Sequence, residues 1–132
     1  MLILSLPVLL IASCNKKETT LTKVGFYFED KNATGDMYYD LYIDDQYQGK
    51  IAVYKEEPTD TSMLLFVTLD GNRHDIDVKS GNVLLTANYL EITKKKTCSG
   101  TNKQKALQVN GGNGAKYRQD SDKNYAVYAA FK

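Results

Sequence analysis

A chain of 132 residues, 42% hydrophobic and 25% charged, has the composition of one soluble globular domain. With a formal net charge of +1 nothing marks the chain as a nucleic-acid binder, which would call for a clustered basic face; the densest positive run, Lys94-Lys95-Lys96, reads as a solvated strand end. Two cysteines without C-x-x-C spacing, and a single histidine, His74, leave no material for a His/Cys zinc cluster.

The chain opens on an apolar run, Leu2 to Ala12, broken only by Ser5 and Pro7. It is too short to span a bilayer and matches the length of a signal-peptide core. It ends in Ile11-Ala12-Ser13-Cys14: an aliphatic residue, two small ones, then a cysteine. This resembles the lipobox of bacterial lipoproteins, whose small residues fit a signal peptidase. The resemblance implies that residues 1–13 are removed and that the Cys14 thiol takes a diacylglycerol, so that palmitate-type chains anchor the protein in a membrane. A signal peptide begins with positive charge, whereas Met1 is followed directly by Leu2, so the true start is expected upstream.

Residues 14–22 form a polar tether without hydrophobic periodicity. Asn15, rather than Asp, follows the cysteine, which favours the outer over the inner membrane of a two-membrane bacterium by likeness to enterobacterial lipoproteins. The Lys-, Asn- and Tyr-rich composition is similar to that of small lipoproteins of the Bacteroidetes type. With Cys14 lipidated, Cys98 has no partner within the chain. It is expected to be a small buried hydrophobe, with a free thiol or intermolecular bridge as the alternative.

Residues 23–132 read as a single β-domain. Lys23 to Glu29 is a first strand, with Val24, Phe26 and Phe28 on one face. After a turn-rich loop, Tyr38 to Tyr54 forms a hairpin turning at Asp44-Asp45, which sets Tyr42 opposite Tyr47. A bulge near Gly49 is needed to bring Ile51 and Val53 onto the face of Leu41 and Ile43. Met63 to Leu69, nearly all apolar, reads as a central strand. Arg73 to Lys79 alternates strictly, with His74, Ile76 and Val78 on its apolar face. Val83 to Thr93, Ala106 to Val109 and Tyr125 to Phe131 complete the strands. Short strands between turn clusters, with no helical period, predict a small antiparallel β-sandwich or barrel of about seven or eight strands behind a cleaved lipoprotein leader.

No convergent catalytic set emerges, and the sequence predicts no enzyme and no cofactor. His74 is expected to be a satisfied core histidine; the competing reading pairs it with Cys98 as a thiol nucleophile. Asp75 and Asp77 share a face about 7 Å apart, a carboxylate pair that alternates with Arg73 and Lys79 as on a solvated surface. Asp120-Ser121-Asp122-Lys123-Asn124 begins like a calcium loop but lacks the Gly and the closing Glu. The Gly111-to-Lys116 stretch misses the phosphate-loop pattern, with Tyr117 where Ser or Thr would bind magnesium.

Asn113-Gly114-Ala115-Lys116-Tyr117, followed by Tyr125-Ala126-Val127-Tyr128, resembles a run in the membrane-bound C-type lysozyme inhibitors. Those are lipid-anchored β-barrels that insert a loop into the lysozyme cleft. The resemblance implies that Lys116 and Tyr117 lie in or beside an inhibitory loop, although Asn113 replaces the family's serine and its cysteine pair is missing. Ten tyrosines and no tryptophan remain; tyrosine is a good strand former, which accounts for most of them, and those on the hairpin, Tyr42 and Tyr47 among them, are the candidate surface for an envelope protein or glycan. The expectation is therefore a non-catalytic, lipid-anchored envelope module, with a hydrolase inhibitor acting through residues 110–117 as the alternative.

Overall fold

The computed structural model describes residues 17–18, 21–96, 105–112, 114–120 and 126–131. The expectations for Cys14, Cys98, Asn113 and the loop at 121–124 lie outside these residues.

Among the described residues every regular element is a strand: β1 (Lys17–Glu18), β2 (Thr22–Glu29), β3 (Tyr38–Ile43), β4 (Gln46–Tyr54), β5 (Leu65–Leu69), β6 (His74–Ser80), β7 (Val83–Lys96), β8 (Lys105–Gly111), β9 (Lys116–Asp120) and β10 (Ala126–Phe131). The path β1-β7-β6-β3-β4-β2-β10-β9 curls into a nearly closed barrel, with β8 on β7 and β5 on β2. The all-β reading holds. The strand count is larger because β1 and β9 carry no apolar alternation that a sequence reading could find. The sheet is also not purely antiparallel, since β2 runs parallel to both β4 and β10.

The β3–β4 hairpin forms for local reasons. Asp44 and Asp45 adopt φ of 52° and 65°, the left-handed pair that a two-residue turn matching strand twist requires. Tyr42 pairs with Tyr47 but Leu41 pairs with Gly49, so Gln48 is the extra residue of the expected bulge. Gly49, at φ 139°, takes the backbone there. Beyond it Ile51 and Val53 face inward with Leu41 and Ile43, and all four are buried.

The centre of the sheet is β2, not the Met63–Leu69 run. Among the described residues β5 pairs only with β2; it is largely half-exposed, and Met63 is 81% exposed. β2, by contrast, has β10 along one edge and β5 followed by β4 along the other. Val24, Phe26 and Phe28 enter the barrel core with Leu41, Ile76 and Leu90, and Phe26 stacks on Phe131 at 6.2 Å. On the opposite face Tyr27 is covered by Leu64, Ala130, Tyr54 and Phe66. From Val24 to Glu29 β2 is thus buried on both faces, and each fully buried large apolar side chain contributes roughly 1.5–3 kcal/mol.

The registers give the barrel two ends. Glu29, Tyr38, Tyr54, the β6–β7 turn and Phe131 lie at one end, called upper below. Thr22, the Asp44-Asp45 turn, Asp70 to His74 and the β1 pairing with Lys94 and Lys95 lie at the lower end.

Candidate functional site

At the upper end β7 outruns its neighbour. β8 pairs with β7 only from Leu90 to Lys96, so above Gly111 the segment Val83–Tyr89 has β6 alone as a strand partner among the described residues. Val83, Leu84 and Leu85 are 61%, 52% and 38% exposed there. Below them opens a cleft of about 540 Å³ with Phe28, Tyr39 and Leu85 as its apolar part. The Phe28 and Tyr39 rings meet edge to face at 5.1 Å. Glu29, Asp30, Lys31 and Lys55 form the rim. The acidic members are already engaged: Lys116 Nζ donates to both Glu29 oxygens at 2.9 and 3.1 Å, and Asp30 accepts the Asn32 N–H at 2.9 Å.

A smaller cleft lies on the outer surface of β2 and β9, lined by Tyr27, Glu57, Ala115, Lys116, Tyr117 and Arg118. Arg118 bonds Glu57 at 3.0 Å. The Tyr27 phenol is pushed up to about 12, first by burial and then by the Glu57 and Glu29 charges, with Arg118 opposing. It is a neutral donor, not a base. The turn from β8 to β9 is tight and rests on β7: Gly112 N–H donates to the Tyr89 carbonyl at 3.2 Å. A Cβ at Gly112 would overlap the Asn88 carboxamide.

The hairpin tyrosines form a separate patch. Tyr42 and Tyr47 approach to 5.5 Å between ring centroids, and Lys79 lies 4.5 Å over Tyr42. Lys50 bonds Asp40 at 3.0 Å beside them, and Tyr38 and Tyr47 are more than half exposed. Tyr42 and Tyr47 therefore come together, whereas Lys116 and Tyr117 stand on β9, beyond β2 and β10 in the sheet.

His74 is held between two carboxylates at the lower end. Its Nδ1 lies 2.6 Å from Asp44 Oδ2 and its Nε2 2.8 Å from Asp70 Oδ1. Asp44 also accepts the Asp75 N–H at 2.9 Å. Burial lowers the His74 pKa, but hydrogen bonds and charge from Asp44 and Asp70 outweigh it and the net shift is upward. Hydrogen bonding to His74 and to the Asp75 N–H lowers Asp44; the Asn72 N–H and His74 lower Asp70. This is a clamp joining two turns, β3–β4 and β5–β6, through the first residue of β6, with both ring nitrogens occupied. Among the described residues no group of three His, Cys, Asp or Glu side chains is placed to hold a metal ion.

The upper cleft is the site that sequence reasoning missed. Its available signal was Val83-Leu84-Leu85, an apolar triplet that breaks the period of two at the start of a strand. Comparison with protein families, curated proteins and solved structures returned no match.

Proposed function

We propose that this chain is a lipid-anchored, non-catalytic binding module of the cell envelope that presents its upper mouth away from the membrane. One observation carries the reading: the N-terminal segment meets the barrel at its lower end, through β1 on Lys94 and Lys95, while the apolar cleft opens at the upper end. A tether from Cys14 would then leave the cleft free for an envelope partner or ligand. The outer membrane is the favoured location, following Asn15. The lining, apolar at Phe28, Tyr39 and Leu85 and charged at Lys31 and Lys55, supports a binding role.

Replacing Cys14 by Ala is expected to move the protein from the membrane fraction to the soluble fraction of cells. Membrane association unchanged by Cys14→Ala would sink the anchoring. The hydrolase-inhibitor alternative draws less support, because Lys116 is committed to Glu29 and the turn before it is packed on β7.

A further inference from the structure

We infer that the upper cleft takes an anionic amphiphile, its apolar chain lying on Phe28, Tyr39 and Leu85 and its headgroup between Lys31 and Lys55. This rests on the reading of the domain as a binding module and names its ligand class. The volume of about 540 Å³ falls within the ~300–1,000 Å³ usual for small-molecule clefts. The apolar wall is a preformed aromatic pair, Phe28 buried and Tyr39 half-exposed, beside Leu85, which is 38% exposed.

Charge complementarity selects the headgroup. Glu29 is neutralised by Lys116, and Asp30 is turned into its own loop by the Asn32 N–H. Lys31 and Lys55 have no ion pair among the described residues, and both are exposed. Two lysines and two carboxylates line this mouth, and because Glu29 is matched by Lys116 from the neighbouring cleft, Lys31 and Lys55 stand beside apolar surface without an ion pair among the described residues. Lysine stems can lie along such surface while the ammonium reaches the headgroup. A cationic headgroup would meet Lys31 and Lys55 unfavourably, and a neutral one would leave their charge unmatched.

The test is calorimetric titration of the full chain carrying Cys14→Ser, which bears no acyl group of its own. The probes are dodecanoate, dodecyl phosphate, dodecanol and dodecylammonium, all below their micellar concentrations. At least one anion is expected to bind tenfold or more tightly than dodecanol and dodecylammonium. Which anion does so tells a free carboxylate from a phospholipid-type phosphate. The Lys31→Glu, Lys55→Glu double variant should invert the order in favour of dodecylammonium, and Leu85→Asp should weaken every probe. Equal binding of all four, or an order that charge reversal leaves untouched, overturns the inference. Binding of none overturns it too, while release of Cys14→Ala from membranes would still stand as an independent result.

Discussion

His74 ties the lower end of the barrel together by accepting a charge that two carboxylates stabilise. Its raised pKa means that its contribution to folding is complete below the unfolded value near 6.5 and is lost as pH rises through the folded value. Asp44 and Asp70 are lowered, so theirs is complete above the unfolded value near 3.8 and is lost as pH falls through the folded values. Stability against urea should therefore peak at about pH 5–6 and decline on the alkaline side. His74→Gln should flatten that alkaline limb; an unchanged limb would show that the clamp does not couple to folding. The sequence placed His74 on an apolar strand face and predicted a satisfied core histidine; it is satisfied, but half-buried at the end of the barrel and not in the core. Its partners were not legible, because Asp44 and Asp70 sit in two turns whose proximity depends on β3 pairing with β6.

Among the elements, the hairpin was the most legible, bulge included, because its determinants lie within seventeen consecutive residues. Asp44 and Asp45 both occupy left-handed backbone, but only Asp44 uses its carboxylate to hold Asp75 and His74. Asp45→Gly should therefore raise stability by up to about 1 kcal/mol, since glycine carries no steric cost there. Asp44→Gly should lower it, because the same relief is outweighed by the lost clamp. Thermal melts of the two variants moving the same way would contradict this division. Gly49→Ala should cost roughly 1–3 kcal/mol, being strained at φ 139° and bringing a Cβ to 3.3 Å from Leu65 Cδ2. β5 was misplaced at the centre because its apolar run is continuous. Met63 stands in solvent and Leu64 instead caps the outer face of β2, a division that only the loop over Tyr27 makes visible.

For the whole molecule, the pairing of β2 with β10 decides whether there is a core at all. Phe131 is fully buried and stacked on Phe26, so Phe131→Ala should destabilise by ~3–5 kcal/mol, read as a shift in the urea midpoint. A shift below about 1 kcal/mol would mean that the C-terminal strand is an accessory. Strand type could be read from alternation, and so the all-β class was legible. Which strand lay in the middle could not, because the partner of β2 is about a hundred residues away and runs parallel to it.

That separation also orders events in time. β2 leaves the ribosome about a hundred residues ahead of β10, so the barrel cannot close until β10 has followed. Until then Phe26 waits without the ring that stacks on it. A domain built this way is held open for as long as the residues between those two strands take to be made.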